Sequence, residues 1–294
     1  MKSLKGKKIL VTGAEGFIGS HLVERLLFLN ANVNAFVLYN FSNSVGNLHN
    51  LSKSNHKNLS IHFGDLRDVN TFSKIAKKCD VIINLAALIG IPYSYIAPKS
   101  YFETNTIGLM NILEIAENKK IIHTSTSEVY GTAKYTPIDE GHSLNGQSPY
   151  SASKIAADQL ALSYYYSFGT NVSIIRPFNT FGPRQSDRAF IPTVINQLLS
   201  NKKQILLGDL STKRDLTFVD DTVDGFINCI KSNNKITNGE IFNLGTGISI
   251  TMEEIANFLI SEINPNAIIK LDKKRIRPKK SEVLNLLSEN KKAK

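Results

Sequence analysis

The chain has 294 residues, 42% of them hydrophobic and 20% charged, which is enough to bury a sizeable core and excludes disorder for most of its length. Its two cysteines, Cys79 and Cys229, cannot build a disulfide framework or a Cys-based zinc site, and a reducing cytoplasm is expected. The formal charge is +10, and residues 270–294 hold ten Lys/Arg against three Asp/Glu, so +7 of it lies there. No aromatic residue interleaves that stretch. It reads as a solvated face or a site for an anionic substrate, and no nucleic-acid partner is expected. The longest nearly apolar run, Val81 to Ile91, is broken by Asn84 and Gly90 and is too short for a bilayer. No membrane partner and no secretory signal are expected.

In chain order, Lys8 to Thr12 reads as a strand ending at Gly13, and Ser20 to Leu29 as an amphipathic helix. Strands are predicted over Ala31–Leu38, Leu59–Phe63, Asp80–Leu85, Lys120–Ser125 and Asn171–Arg176. Helices are predicted over Val69–Lys77, Thr104–Asn118, Tyr150–Phe168 and Phe190–Ser200, with Leu109, Ile112, Leu113 and Ala116 on one face of the second. Phe178 to Arg188, rich in Gly, Pro and Asn, is expected to be a loop. Strands alternating with helices imply an α/β protein with a Rossmann-type, doubly wound parallel sheet. The dinucleotide-binding domain is expected over residues 1–176, with elements returning at 215–231 and 241–246. Residues 177–214 and 247–294 would form a smaller, discontinuous C-terminal substrate domain.

Gly13-Ala-Glu-Gly16-Phe-Ile-Gly19 follows a strand and precedes a helix. The first glycine permits the turn, the second admits a pyrophosphate to the helix N-terminus, and the third allows close helix–strand packing. The acidic residue expected at the end of the second strand to hold an adenosine ribose is absent. Its place falls at Val37, followed by Leu38-Tyr39-Asn40, and no Arg replaces it. The choice between NAD and NADP stays open at this point. The small residues of Leu85-Ala86-Ala87 leave room for a cofactor crossing the sheet edge.

Tyr150-Ser-Ala-Ser-Lys154 sets a phenol and an ammonium on one helix face at i, i+4. A phenol is a poor base at neutral pH, and an adjacent ammonium favours its phenolate. About 20 residues upstream, Thr124-Ser-Thr-Ser-Glu-Val-Tyr-Gly131 offers hydroxyls at a strand end.

With the stretches VTGAEGFIGSHLVERLL, TSTSEVYG, SPYSASK, RPFNTFGPRQ and RDLTFVDDTVDGF, the chain resembles extended short-chain dehydrogenases/reductases of the NAD-dependent epimerase/dehydratase family over essentially all of residues 8–290. AALIGIPYSYIAP, GQSPYSASKIAADQLALS and RPKKSEV are most similar to the N-acetylglucosamine nucleotide 4,6-dehydratases of the legionaminic (nonulosonic) acid pathway. The resemblance implies roles by position. Thr126 matches the catalytic Ser/Thr, Tyr150 the base, Lys154 its partner and Glu128 the C5 base, with Ser127 beside it. Gly13, Gly16, Phe17, Ile18, Gly19, Asp65, Leu66, Leu85, Ala86, Ala87, Asn105, Ser125, Tyr150, Lys154 and Pro177 would line the NAD site. Asn179 and Arg214 would hold the nucleotide diphosphate, with Arg184 and Arg277 in nearby loops. A homodimer through helices 104–118 and 150–167 is implied as well.

Many 4,6-dehydratases carry Asp–Glu where this chain has Ser127–Glu128, and Ser–Glu also resembles nucleotide-glucuronate decarboxylases. A 4-epimerase, a UDP-glucuronate decarboxylase and a nonenzymatic dinucleotide sensor are the alternatives. The first two need no C5 base, and a sensor typically lacks the Tyr or the Lys. Relatives continue with a Leu-Gly-Trp turn and a helix after a stretch like Ser288–Lys294, so a C-terminally truncated substrate domain is expected.

Overall fold

The computed structural model describes residues 4–53, 56–115, 118–200 and 203–294; Ala116, assigned above to a helix face, lies outside the described residues. The predicted strands form as β1 (Lys8–Thr12), β2 (Asn32–Leu38), β3 (Leu59–Gly64), β4 (Val81–Asn84), β5 (Lys120–Thr124) and β6 (Val172–Pro177). The later strands are β7 (Asn179–Phe181), β8 (Gln204–Leu207), β9 (Lys213–Phe218), β10 (Ile241–Leu244), β11 (Ser249–Thr251), β12 (Ile268–Leu271) and β13 (Asn285–Leu286).

Seven strands make one parallel sheet in the order β10-β6-β5-β4-β1-β2-β3. Side chains alternate across it, so on β1 Ile9 and Val11 enter one apolar cluster and Leu10 the other. Helices Phe17–Phe28 and Val219–Lys231 cover the first face through Leu22, Leu26, Val223 and Phe226. Val69–Ala76, Gly108–Ile115 and Pro149–Phe168 cover the second through Phe72, Leu109, Ile112, Ala157 and Ala161. Burial on both faces explains the Ile/Val-rich strands. Strand order reverses between β1 and β4, which opens a crevice above their C-terminal ends.

Several elements depart from the sequence reading. The first helix begins at Phe17 rather than Ser20, because extended Gly16 serves as its N-cap. The predicted helix from Thr104 is the end of a longer run: Pro98–Phe102 passes through a π-turn, Glu103–Ile107, into Gly108–Ile115. Val37 is fully buried in the core, so it cannot be the position at the crevice edge. The Phe178–Arg188 loop contains β7. Within the returning stretch 215–231, only the helix rejoins the large sheet. β9 pairs instead with β7, β11 and β13. A separate β8–β12 pair packs with helices Phe190–Leu199 and Met252–Ile263 around Val194, Leu198, Ile205 and Ala256.

Candidate active site

The crevice floor is built from the ends of β1 and β4. The Thr12 hydroxyl donates to Asn84 Oδ1 at 2.7 Å and accepts from the Ala86 amide at 3.2 Å. Gly13 lies at φ +63°, and a Cβ there would come within 2.8 Å of the Ala86 nitrogen. Only glycine combines that backbone with that approach. Gly16 then opens helix Phe17–Phe28, whose first N–H groups lack intrahelical partners. Leu85, Ala86 and Ala87 follow β4 directly, on the other side of Gly13. This cradle fits the pyrophosphate of a dinucleotide.

Asp65 follows β3 and forms an ion pair with Arg67 at 2.6 Å, which holds its carboxyl below the usual range. Buried Leu66 beside it gives its carbonyl to Asn111 at 2.7 Å. Asn105, in the π-turn, accepts from the Leu88 amide at 2.8 Å and donates to the Leu88 carbonyl at 3.0 Å and to the Ser153 hydroxyl at 2.9 Å. It thus fixes the segment after β4 against the helix that carries Tyr150. Pro177 closes β6 in register with Leu244.

Tyr150 is the second residue of helix Pro149–Phe168. That helix starts sharply because Ser148 and Ser151 form a capping box with Pro149 at the first position. The phenol meets Tyr101 edge-on, ring centroids 6.2 Å apart, with the Thr126 side chain near enough to favour its ionised form. Burial pushes the Tyr150 phenol above its ordinary range, against the pull of the Thr126 side chain. The expected lowering by Lys154 therefore does not dominate. Lys154 donates from Nζ to the Thr124 carbonyl at 2.6 Å, and burial lowers its pKa from 10.5 to about 8.

Glu128 lies in a 3₁₀ turn, Ser127–Tyr130, just after β5. Thr126 caps that turn by accepting from the Glu128 amide at 3.2 Å, and Ser127 between them is buried. Burial raises the Glu128 carboxyl, opposed by the charges of Arg214 and Arg277. A carboxyl raised in this way is a stronger base than a free one.

Pairing of β9 with β13 brings the second half of the site together. Arg214 and Arg277 each lie 3.3 Å from Glu282 Oε1. Asn179 sits on β7, the neighbour of β9, and its Oδ1 is buried with no hydrogen-bond partner. Arg184 departs from the group. It turns at φ +68° and pairs with Glu24 of the first helix at 2.8 Å, with Ser20 also in reach. It pins the 178–188 loop to the glycine-loop helix instead of joining Arg214 and Arg277.

The sequence reading missed a buried network below these groups. The Ser125 hydroxyl donates to Asp158 at 2.9 Å, Arg176 pairs with Asp158 at 2.9 Å, and Arg176 also donates to the Tyr130 hydroxyl at 2.9 Å. The Tyr130 hydroxyl continues to Asn243 Oδ1 at 2.7 Å. This chain ties the Lys154 helix to the turn that carries Glu128. The only signal in the sequence was a lone Arg in an apolar strand and an Asp one helical turn after Lys154. Glu282 was missed too, because nothing local marks it as a partner of Arg214.

The family model described as GDP-mannose 4,6 dehydratase matches residues 10–294. The chain belongs to the NAD-dependent nucleotide-sugar epimerase/dehydratase family of extended short-chain dehydrogenases/reductases. A dTDP-D-glucose 4,6-dehydratase of Dictyostelium discoideum is 34% identical over 87% of this chain, and the match spans 62% of that protein's length. A putative UDP-glucose 4-epimerase of Methanocaldococcus jannaschii is 32% identical over 97% of this chain and 90% of its own. The structure of dTDP-glucose 4,6-dehydratase from Bacillus anthracis in complex with NAD superposes with a TM-score of 0.83 at 28% identity, covering 98% of this chain and 89% of that one. The family therefore assigns NAD to the crevice, and the glycine cradle described above fits it. Among the described residues, no helix is long and apolar enough to cross a membrane.

Proposed function

We propose that this family member is a nucleotide-sugar 4,6-dehydratase that converts GDP- or UDP-N-acetylglucosamine to its 4-keto-6-deoxy product in nonulosonic (legionaminic) acid biosynthesis. The observation that carries the reading is Glu128. Its carboxyl, raised by burial, acts on the Tyr150 phenol and faces the charges of Arg214 and Arg277. A base for the C5 proton is what a dehydratase needs and a 4-epimerase does not.

Arg214 and Arg277 bind the diphosphate through their charge, and Asn179 through its side-chain amide N–H group, which donates to a phosphate oxygen. Thr126 holds the sugar O4 hydroxyl toward Tyr150, whose phenolate would be favoured by Lys154 and by the positive nicotinamide once NAD is bound, and the phenolate takes the O4 proton. Bound NAD supplies a hydride acceptor at C4 and the matching donor at C6. With C4 as a ketone, the C5 proton is acidified. Glu128 removes it, the C5–H electrons form the C5=C6 bond, and the C6–O bond breaks. Protonated Glu128 supplies the proton with which the C6 hydroxyl leaves as water. C5 regains a proton when C6 is reduced, from the one that Tyr150 took from O4 after its exchange with solvent, so Tyr150 and Glu128 return to their starting states and the cycle loses one water and no net hydride.

The 4-epimerase reading has the Methanocaldococcus relative in its favour. Product mass spectrometry separates the readings. Loss of water from either N-acetylglucosamine nucleotide supports the dehydratase, and an isomer of unchanged mass supports the epimerase. Loss of carbon dioxide from UDP-glucuronate would mean a decarboxylase. We also assign residues 1–176 with the returning helix and β10 to cofactor binding, and the rest to the sugar nucleotide. Exposed Phe102, Ile107, Tyr166 and Phe168 on the helices around Glu103–Ile107 and Pro149–Phe168 support a homodimer. Sedimentation at micromolar concentration tests it, and a monomer would remove that assignment.

A further inference from the structure

The cofactor crevice lacks an acidic residue at the end of β2, yet it holds a carboxylate there. Glu15 belongs to the glycine loop. Its side chain reaches across to the end of β2, where Oε1 accepts from the Leu38 amide at 2.9 Å. Its other oxygen, Oε2, is buried and has no hydrogen-bond partner. A buried acceptor left unpaired is costly, and one hydroxyl donor would satisfy it.

The placement is built from several directions. Ala14, just before it, bonds through its amide to the Phe36 carbonyl at 3.4 Å, which keeps the loop against β2. The Asn47 amide donates to the Glu15 carbonyl at 3.1 Å. Gly46, at φ +52°, packs so closely that a Cβ would lie 2.9 Å from the Glu15 carbonyl oxygen and 3.1 Å from its Cβ. A third turn of chain thus holds Glu15 where the ends of β1 and β2 meet.

We infer that Glu15 is the acceptor for the adenosine ribose hydroxyls and that it makes the enzyme select NAD over NADP. In the usual arrangement the carboxylate comes from the second strand. Here it comes from the glycine loop and reaches the same strand end. A ribose 2′-hydroxyl donates to the free oxygen. A 2′-phosphate brings only acceptor oxygens and negative charge, and is repelled. The cation that would otherwise serve a phosphate, Arg67 just beyond β3, is committed to Asp65. The inference concerns cofactor choice alone and holds whichever sugar the enzyme takes.

The test is titration calorimetry of the full chain, freed of bound dinucleotide, with NAD and with NADP. The wild type is expected to bind NAD at least about tenfold more tightly. Glu15→Gln keeps a carbonyl oxygen for the Leu38 amide but loses the charge. It is expected to weaken NAD by about fivefold or more and to shrink the NAD/NADP ratio toward unity. Glu15→Asp, with its carboxylate drawn back, should weaken NAD while keeping NADP excluded, and it serves if Glu15→Gln does not fold. Equal binding of the two cofactors by the wild type, or an unchanged ratio in Glu15→Gln, would overturn the inference. The second result would mean that Glu15 only caps β2.

Discussion

The ammonium of Lys154 is bonded to the carbonyl oxygen of Thr124 at 2.6 Å, one helical turn from Tyr150. Burial lowers its pKa from 10.5 to about 8. Below pH 8 both folded and unfolded chains hold this proton, and the buried charge costs stability in full. Between about 8 and 10.5 the unfolded chain binds more protons, so this group makes stability rise with pH. Tyr150, raised by burial, acts in the opposite sense above about pH 10, where an unfolded phenol ionises first. Lys154→Met should therefore be inactive, yet more stable at pH 7 by the order of 1–3 kcal/mol. Urea midpoints for both proteins across pH 7 to 10 check this, and parallel pH profiles would contradict it.

Arg214 and Arg277 share Glu282 Oε1 at 3.3 Å each. On the proposed reading, the diphosphate competes with that carboxylate for the two guanidinium groups. Glu282→Gln should lower the KM for nucleotide sugar, by about threefold or more, with little change in kcat. Arg214→Lys should raise KM by about tenfold or more, since an ammonium cannot reproduce the guanidinium fork. Steady-state kinetics on both variants checks the pair. A raised KM in Glu282→Gln would mean that Glu282 positions the arginines rather than masking them.

Gly13 has no room for a side chain beside Ala86 and occupies a positive φ. Gly13→Ala should lose about 2 kcal/mol or more of stability and bind NAD at least about tenfold more weakly. Thermal denaturation with and without added NAD reads both effects. Wild-type stabilisation by NAD in the variant would show that the loop tolerates a Cβ.

Breaking the network beneath the site should act on catalysis through position. Asp158→Asn leaves Arg176 buried without its charge partner, and Asp158 is what opposes the lowering of the Lys154 pKa. Stability should fall by about 3 kcal/mol, and the pH profile of kcat should shift downward on its Lys154-dependent limb. A variant that loses stability but keeps the wild-type profile would give Asp158 a structural role only.

Much of this architecture was legible in the residues. Periodicity located the six strands that alternate with helices, and the Gly13, Tyr150 and Lys154 motifs marked the crevice. What was not legible depended on distant chain crossings. Glu15 reads as a variable position in the glycine loop until β2 is folded beside it. Arg184 lies in a loop of the right composition, but Glu24 of the first helix captures it. Glu282 becomes a partner of Arg214 only once β13 pairs with β9. The 3₁₀ turn that carries Glu128 just after the predicted Lys120–Ser125 strand leaves no period in the sequence, because it is set by the bond that the Thr126 side chain accepts from the Glu128 amide. Val37 was misaligned with the crevice edge because counting along β2 does not reveal where the strand dips into the core.

The most direct measurement is turnover of GDP- and UDP-N-acetylglucosamine in deuterated water, with the product read by mass spectrometry and NMR. The expected result is loss of one water and one solvent deuterium at C5 with the wild type, both absent in Glu128→Gln while nucleotide-sugar binding persists. Product formed without C5 deuterium, or normal turnover by Glu128→Gln, would contradict Glu128 as the base and with it the dehydratase assignment.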